Sequence, residues 1–554
     1  MKRTTPSRWS DRIRVALAVA IAATTIAGCT KVSQSTTTPR GGGGVPGVLR
    51  YADISEPDSL NPLLSTQIVT ADLEYLAFTF FFNVDDKQNF VPEAALEVPT
   101  LANGGVSKDG LTITYHMRHG IKWQDGQPLT AKDVVFTFHA IMNPANNVQV
   151  RTGYDQIALV DAPDDYTVVV HMKRVFSPII AYFMGQQGQE PILPAHILAQ
   201  YPNINQVPFN SLPVGSGPFK ITEWQHGDHI TLIANPGYWR GPPKLSQIVF
   251  RFVASTTTIR VLLQTHEIDA WFRADPNEYE QLVKIPGYKA IISDQNVFGH
   301  IDFNFKDPIL ADLRVRKAIE YALDRKAMAH DLTYDVYQAA NSDIAPYSWA
   351  FPHDLPVYDN NPAAARALLD EAGWKVGPDG VREKNGEKLE LQFSYISGNV
   401  LGSKIGSVAA ARLRDIGIIL NQKVYPAPLY FGSQQAGGIL NSGKYQLGYF
   451  GWVSGVDPDN SSLYACDQFP PAGQNNMFWC DKKLDDAEKA ALATFDQGQR
   501  TAQYSIIEHE LVEQVPTIFA FHDRRLDVIT DRFHNYLPSP ATSSFWNSWE
   551  WVMD

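Results

Sequence analysis

The residues best suited to chemistry lie close together in the stretch GWVSGVDPDNSSLYAC, residues 451–466. It combines an aromatic ring, Trp452, with two carboxylates, Asp457 and Asp459, and with Cys466. Carboxylates two residues apart in a turn can bind calcium or act as a catalytic acid and base. The same set can instead form one wall of a binding pocket, because aromatic and charged side chains often line such walls.

The calcium and acid–base hypotheses both fail on the neighbouring residues. A calcium loop that began at Asp457 would have glycine at its sixth position and glutamate at its twelfth, but the chain has Ser462 and Gln468 there. A catalytic acid needs an apolar environment that raises its pKa, and the residues around Asp457 and Asp459 are polar turn formers. The wall of a binding pocket is the remaining interpretation.

Two other motifs resemble catalytic or metal sites without completing them. In PVGSGPF, residues 213–219, a nucleophile elbow would need glycines two residues before and after Ser216, where the chain has Val214 and Pro218. HGDH, residues 226–229, has two histidines without a third ligand, which is more typical of a surface turn than of a metal site. The sequence also lacks a P-loop. We therefore predict no catalytic residue, no metal and no cofactor, and expect the protein not to be an enzyme.

The beginning of the chain is typical of an exported protein. Residues 1–28 combine Lys and Arg side chains with an apolar run at 15–23, as signal peptides do. IAGC at 26–29 resembles the lipobox of bacterial lipoproteins, which implies lipidation of Cys29; an ordinary signal peptide with an incidental cysteine is the alternative. Residues 29–47 are polar and glycine-rich and predict a flexible tether. We expect an extracytoplasmic protein, lipid-anchored to the bacterial membrane in the periplasm or at the cell surface.

The two cysteines beyond this region are an even pair in an oxidising compartment. A two-cysteine metal site is the rival hypothesis, but no histidine lies at ligand spacing near Cys466 and Cys480. We therefore predict a disulfide between Cys466 and Cys480, which would stabilise the fold by roughly 3 kcal/mol through loop entropy.

Length and composition indicate a large globular protein with an acidic surface. A chain of 554 residues exceeds the size at which one core keeps growing, so at least two lobes are expected. The formal net charge is −12, and loss of the basic residues 1–28 would leave the remainder more acidic. This charge argues against nucleic acid as a partner.

Strand and helix periodicities alternate along the chain. Residues 111–118 and 388–395 alternate apolar and polar side chains, as half-buried strands do. Residues 313–325 carry one apolar helical stripe, and further helices are predicted at 404–417 and 482–495.

One predicted helix carries signals at both ends. Asn361 is the expected N-cap, Pro362 the first helical residue and Gly373 the stop. Helices and strands that interleave in this way predict an α/β or mixed α+β fold with large sheets.

Six segments resemble, in the same order, the extracellular solute-binding proteins of ABC importers, the dipeptide- and oligopeptide-binding lipoproteins called family 5. They are EPDSLNPL (56–63), KDGLTITYHMRHGIKWQDGQPLTAKDVVFTF (108–138), PVGSGPFKI, NPGYW, HIDFNFKDPILADLRVRKAIEYALDR and ALLDEAGW. The resemblance covers nearly the whole chain after the tether. Six ordered segments are more specific than any single motif.

The resemblance implies a two-lobed Venus-flytrap fold of the large peptide-binding type. The first lobe would comprise residues 48–275 and, after a return of the chain, 516–554; the second lobe would comprise 276–515. The crossings between the lobes are expected near 270–280 and 510–525.

The resemblance also implies a function. A monomeric receptor would close its lobes around a peptide and deliver it to an ABC permease, while separate ATPase subunits hydrolyse ATP. A receptor of the same architecture for an oligosaccharide, an opine-like compound or a metal chelate is the alternative. A secreted hydrolase is a more remote alternative.

For the opening stretch the resemblance implies a place in the ligand cleft. In relatives, the tryptophan that matches Trp452 is followed three residues later by an aspartate that pairs with the ligand's α-amino group, whereas this chain has Gly455. Asp457 or Asp459 could take over that role, or could cap the turn instead. Trp452 could line the cleft or belong to the core.

Three more residues are candidate ligand contacts. Glu56 matches a loop that lines the cleft in relatives, and Asn304 matches a strand residue near the ligand backbone. Either could instead satisfy local backbone groups. Trp349, with Tyr347 and Phe351 beside it, could form an aromatic wall or pack between lobes.

Overall fold

The two strands and four helices that the periodicities and end signals predict lie close to their predicted positions. A computed structural model describes residues 44–185, 187–188, 190–358, 360–541 and 543–554. The predicted signal peptide, the lipidation site Cys29 and most of the predicted tether lie outside the described residues. Within the described ranges, no helix has both the length and the apolar composition needed to cross a membrane.

The strands, in chain order, are β1 Val48–Asp53, β2 Phe82–Val84, β3 Phe90–Pro92, β4 Thr112–His116, β5 Ile157–Asp164, β6 Thr167–Met172, β7 Phe219–Gln225, β8 His229–Ala234, β9 Gln247–Phe252, β10 Ala270–Trp271, β11 Tyr288–Phe303, β12 Gln338–Ala339, β13 Lys375–Val376, β14 Arg382–Lys384, β15 Glu387–Lys388, β16 Glu390–Ile396, β17 Ile419–Tyr425, β18 Leu447–Val453, β19 Thr517–Thr530, β20 Phe533–His534 and β21 Val552–Met553.

The α-helices are α1 Ile68–Ala77, α2 Ala131–Met142, α3 Ile179–Tyr182, α4 Ala195–Leu198, α5 Thr256–Gln264, α6 Tyr279–Leu282, α7 Leu313–Ala322, α8 Arg325–Thr333, α9 Pro362–Glu371, α10 Val400–Asp415, α11 Ala427–Tyr430, α12 Ser461–Tyr464, α13 Lys482–Leu492 and α14 Gln497–Gln514. Short 3-10 helices lie at Pro62–Leu64, Tyr154–Gln156, Pro208–Asn210, Pro276–Glu278 and Ser548–Glu550.

The largest sheet in the described part of the chain has 11 strands. Its order is β17-β16-β18-β11-β19-β10-β1-β9-β8-β7, and β12 pairs with β19. β1 pairs in parallel with β9 and β10, whereas β11 pairs antiparallel with β18 and β19. The expected mixed α/β fold with a large sheet is confirmed.

Two long strands, β11 and β19, run through the middle of this sheet. Residues 288–294 of β11 pair with 524–530 of β19, beside β10 and β1. Beyond a register shift between Asp294 and Phe298, β11 pairs with the first part of β19 and with β18. Bulges bend a strand pair locally. The shift therefore divides the sheet into two halves.

Each half of the sheet packs a hydrophobic core of its own. Buried residues of the first core include Leu49, Ile221, Leu232, Phe250 and, from the end of the chain, Phe545 and Trp551. Buried residues of the second core include Ile301, Phe393, Leu447 and Ile518. Separate cores are expected for a two-lobed protein. The lobe boundaries given above, at 275 and 515, stay predictions.

Local end signals located helix α9 correctly. The side chain of Asn361 accepts a hydrogen bond from Ala364 N at 3.1 Å, Pro362 is the first helical residue, and Gly373 has a φ of +87°. A positive φ is readily adopted only by glycine, which explains why the helix stops there.

Other boundaries differ by a few residues. The helix predicted at 313–325 ends at Ala322, because the Asp324 carboxylate accepts a hydrogen bond from Ala327 N at 3.0 Å and starts α8. The helices predicted at 404–417 and 482–495 are α10 and α13. The strand predicted at 111–118 is β4, which begins at Thr112 and ends at His116, and Leu111 before it is exposed.

Candidate ligand-binding cleft

A cleft of about 820 Å³ lies between the two halves of the sheet. The first half contributes residues that follow β1 and β10, and the second half contributes the start of α10 and the end of β18. The bulged segments of β11 and β19 also line it. Its lining includes Ser55, Arg273, Val297, Asn399, Val453 and Asp523. A concave site of this volume, bounded by two lobes, suits a small ligand.

Strand β18 has an unpaired edge beside this cleft. One edge pairs with β11 along residues 447–453, whereas the other pairs with β16 only at the first two of these residues. Among the described strands, none pairs with that second edge beyond residue 448, although the Tyr430 hydroxyl donates to Tyr449 O at 3.3 Å. Tyr449, Gly451 and Val453 line the cleft. An unpaired edge of this kind can accept an extended peptide as an added strand.

On the first side of the cleft, the guanidinium of Arg273 lies between two carboxylates. Its Nη1 donates to Asp72 Oδ1 at 3.1 Å and its Nη2 donates to Asp53 Oδ2 at 3.3 Å. Burial disfavours the charged guanidinium, but the two carboxylates outweigh this effect and raise the pKa of Arg273. These charges therefore compensate one another within the wall.

On the opposite side, Asp523 lies beside two phenols. Asp523, Tyr337 and Tyr449 all line the cleft. Burial raises the pKa of Asp523 to about 8, so this carboxyl is mostly protonated at neutral pH in the absence of a ligand. The neighbouring Arg524 does not neutralise it, because Arg524 Nε donates to Asp294 at 3.0 Å.

Asp457, a candidate from the sequence, is paired within the protein. Nη1 and Nη2 of Arg500 donate to its two carboxylate oxygens, each at 2.7 Å, and both side chains are buried. The guanidinium also lies 5.3 Å from the ring centre of Trp349. Asp457 and Trp349 are thus brought together by Arg500, a residue that the sequence analysis did not single out.

Asp459 and Trp452 occupy different surroundings. Asp459 accepts hydrogen bonds from Ser461 N at 3.1 Å and Ser461 Oγ at 2.7 Å, at the start of α12. This is the turn-capping arrangement that the sequence left open. Trp452 is half-buried and packs against two hydrophobic clusters of the second half.

The Asp457 backbone binds a side chain from the first half of the molecule. Asp457 N donates to Gln187 Oε1 at 2.9 Å, and Gln187 Nε2 donates to Asp457 O at 3.3 Å. Nearby, Asn296 Nδ2 donates to Gly455 O at 3.0 Å. The stretch 451–466 therefore contacts both halves.

The stretch ends at a disulfide. Cys466 and Cys480 are bonded, with an Sγ–Sγ distance of 1.98 Å. Cys466 N also donates to Asp485 Oδ1 at 2.9 Å, which ties this end of the stretch to α13. Among the described residues, no group of three or more His, Cys, Asp or Glu side chains could hold a metal ion.

Glu56 and Asn304 have partners within the protein. The Glu56 carboxylate accepts from Trp224 Nε1 at 2.9 Å and from Gly227 N at 3.1 Å. Asn304 Nδ2 donates to Gly443 O at 3.0 Å and to a second backbone carbonyl nearby. Neither side chain lines the cleft of about 820 Å³.

A second cavity, of about 660 Å³, is lined by Tyr347, Trp349, Asp457 and Arg500 and by parts of the first half near 87–101. The predicted residues Trp349 and Asp457 thus line this second cavity and not the larger cleft. The residues of that larger cleft that sequence reasoning missed include Arg273, Tyr337, Tyr449 and Asp523. For Asp523 a signal existed, since the charged run HDRR interrupts a mostly apolar strand, TIFAFHDRRLDVIT.

The chain is similar to known proteins over almost its whole length. The family model described as bacterial extracellular solute-binding proteins, family 5 Middle, matches residues 97–472. Oligopeptide-binding protein AppA of Bacillus subtilis is 26% identical over 549 residues, which cover 98% of this chain and 97% of AppA.

Solved structures share the fold. AppA from Bacillus subtilis in complex with a nonapeptide has a TM-score of 0.75 and 25% identity, covering 92% of this chain and 100% of AppA. NikZ from Campylobacter jejuni in complex with Ni(L-His) has a TM-score of 0.78 and 24% identity, with 92% and 100% covered. Curated relatives such as AppA are solute receptors. The chain therefore belongs to the bacterial extracellular solute-binding proteins of family 5, and its fold is the two-lobed fold of that family.

Proposed function

We propose that this protein is the extracytoplasmic receptor of an ABC importer and captures peptides between its two lobes. The observation that carries the proposal is the unpaired edge of β18 from Tyr449 to Val453 beside the cleft. Five extended residues span about 17 Å, so this edge supports main-chain pairing with a short peptide. The similarity to AppA, which binds a nonapeptide, supports the same ligand class.

Lobe closure would link binding to transport. A ligand in the cleft touches residues of both halves only while the halves are together, so it shifts the population toward the closed form. Gln187 and Asp457 supply one contact of the protein's own that favours closure. The permease would receive the ligand from this form, and separate subunits would hydrolyse ATP.

Among the residues singled out from the sequence, Trp452 lies on β18 between two residues that line the cleft, so its side chain points to the other face of the strand, where it packs against hydrophobic clusters. Trp452 is therefore retained only as part of the strand that forms the peptide-binding wall. The others already have partners within the protein and would have to exchange a contact to bind ligand: Glu56, Asn304, Trp349, Asp457 and Asp459.

Anchoring at Cys29 is part of the proposal. Two or three acyl chains, at about 0.8 kcal/mol per buried CH₂, hold a protein on a membrane. The glycine-rich segment up to residue 47 would let the receptor reach its permease. We propose a monomer, since binding and closure need only one chain.

Native mass spectrometry of protein purified without unfolding tests the ligand class. Retained masses that match a mixture of short peptides support the proposal. A single sugar, opine-like or metal-chelate mass instead identifies the second candidate, a receptor of the same fold for another solute. That candidate is favoured by the shared fold of NikZ, which binds Ni(L-His). Cleavage of a supplied peptide with turnover would indicate the remote alternative, a hydrolase.

A further inference from the structure

One carboxyl group in the cleft wall stands apart from the ion pairs around it. Asp523 lies in β19 between His522 and Arg524, where the register with β11 shifts. Its Oδ1 is shielded from solvent and has no hydrogen-bond partner among the described residues. A carboxyl oxygen that is shielded from solvent normally has a partner within the protein. Asp523 as a whole is only half-buried and lines the cleft, so its carboxyl can take a partner from outside the chain on the side that faces the cleft.

The groups beside Asp523 are neutral donors. Tyr449 and Asp523 both approach Gly299. A Cβ atom added to this glycine would lie 3.1 Å from Tyr449 Oη and 3.7 Å from Asp523 Oδ1, so the phenol and the carboxyl lie near each other in the space that the glycine leaves free. Burial and, second, the charge of Asp523 raise the pKa of Tyr337 and of Tyr449. Both remain O–H donors at neutral pH. The carboxylate of Asp275 also raises the pKa of Tyr337, but less strongly. Because it is acidic, it supplies no positive charge to Asp523.

The nearby cations are directed elsewhere. Arg524 pairs with Asp294, and Arg273 pairs with carboxylates of the first half. Arg525 is only 1% exposed, and its charge acts on Asp527. Consistent with this, burial is the one cause that raises the pKa of Asp523. Within the described ranges, no cation that lines the cleft is paired with the Asp523 carboxyl, which can therefore take a positive charge from a ligand.

We propose that Asp523 binds the ammonium group of the ligand, so that the receptor selects solutes with a free primary amine. The inference rests on the proposed function, because a peptide carries this group at its N-terminus or on a lysine side chain. An ammonium group donates charge-assisted hydrogen bonds to a carboxylate, and its charge favours the ionised acid. Ligand binding therefore converts the protonated carboxyl to an ion pair and releases one proton to solvent.

The test uses the full chain and a peptide digest of casein. Native mass spectrometry selects a captured peptide, which is then synthesised in free, N-acetylated and, where it has lysine, Nε-acetylated forms. Calorimetry at pH 7.0 in phosphate and in Tris, buffers that differ in ionisation enthalpy, measures affinity and protons released. The matched variants are Asp523→Asn and Asp302→Asn, since Asp302 is also buried, with its pKa raised to about 7, but does not line the cleft.

We expect the free peptide to release close to one proton on binding to the natural protein and to the Asp302→Asn variant. Acetylation of one amine should weaken binding roughly tenfold or more and abolish the release. The form of the peptide that binds weakly shows which ammonium group Asp523 holds: the N-terminus if N-acetylation weakens binding, or lysine if Nε-acetylation does. Asp523→Asn should have the same effect with the free peptide. Equal affinity of all peptide forms, or an unchanged release in Asp523→Asn, overturns the inference alone. If the protein captures no peptide, the proposed function fails as well.

Discussion

The side chain of Gln187 occupies the space that a side chain at residue 455 would take. An ideal Cβ on Gly455 would lie 1.8 Å from Gln187 Cδ. Gln187 belongs to the first half of the molecule and bonds the backbone of Asp457 in the second half at 2.9 and 3.3 Å. The missing side chain at 455 thus permits a direct contact between the lobes.

Substitution of Gly455 by alanine should disrupt this contact without unfolding the protein, because the clashing atoms belong to the end of a flexible side chain. Two hydrogen bonds contribute about 0.5–1.5 kcal/mol each, so peptide affinity should fall roughly tenfold. Gln187→Ala should behave in the same way. The measurement is calorimetric affinity, together with the radius of gyration from small-angle scattering.

A suitable control is Gly237→Ala, because a Cβ there would meet nothing closer than Asn235 Oδ1 at 3.4 Å. It should leave affinity and shape unchanged. If Gly455→Ala bound peptide as tightly as the natural protein, the contact between Gln187 and Asp457 would have no part in closure.

Loss of Arg500 should destabilise the second half strongly. Arg500→Met leaves the Asp457 carboxylate buried without its cation, which typically costs 3–5 kcal/mol. Adding Asp457→Asn removes the charge and should restore part of the loss. The midpoint of urea unfolding reports both effects. As a comparison, Arg314→Met breaks a more exposed pair with Asp312 and should cost less than about 1 kcal/mol. Equal losses for the two arginines would contradict the argument from burial.

Stability should depend on pH through Asp302. Burial raises its pKa to about 7, from about 3.9 in an unfolded chain. The unfolded state then ionises first, so the stabilising contribution is complete below pH 4 and is lost as the pH rises through 7. Between pH 5 and 8 the natural protein should lose roughly 3 kcal/mol more than Asp302→Asn. Denaturant midpoints at both pH values measure this difference; parallel curves would exclude Asp302 as the titrating group.

The opposite sign is expected for His300. Burial lowers its pKa to about 3, from about 6.5 in the unfolded chain. Its contribution is therefore present above pH 6.5 and is lost as the pH falls toward 3. His300→Gln should flatten the acid side of the stability profile, which thermal melts from pH 7 to pH 4 can follow. If the melting temperature of His300→Gln fell between pH 7 and pH 4 as steeply as that of the natural protein, groups other than His300 would be responsible for the decrease.

Removal of the disulfide should lower stability without removing the ligand cleft. The double variant Cys466→Ser, Cys480→Ser removes a bridge between residues 14 positions apart in the sequence. The free energy of unfolding should fall by about 3 kcal/mol on the loop-entropy estimate. Thermal melting of the variant, and of the natural protein with and without reductant, measures the change. An unchanged melting temperature under reduction would show that the bridge contributes nothing in solution.

Cys29→Ala should release the protein from the membrane. Without a thiol to acylate, the receptor should move from the membrane fraction to the soluble fraction and lose incorporation of a palmitate analogue. Cys466→Ser is the matched control, since it removes a different cysteine and should leave fractionation unchanged. Retention of the Cys29→Ala protein and its label in the membrane would refute the anchor.

Much of the fold follows from short-range signals. Asn361, Pro362 and Gly373 bound a helix through hydrogen bonds and backbone angles that involve only neighbouring residues. Alternation at 388–395 likewise predicted a strand whose apolar face is buried. The helix over 313–325 was predicted too long because the capping of the next helix by Asp324 competes with continuation.

The sequence by itself determined the family, the fold class, several of the helices and strands, and the stretch 451–466 as a functional candidate. These depend on local propensity and on ordered motifs. Only the tertiary structure decided which partners those side chains take: Arg500 for Asp457, 43 residues away, and Gln187 for its backbone, 270 residues away. It also decided that β18 keeps an open edge and that Asp523 reaches the cleft. Pairings of this range depend on which surfaces pack together and exclude water, and no pattern of neighbouring residues specifies that.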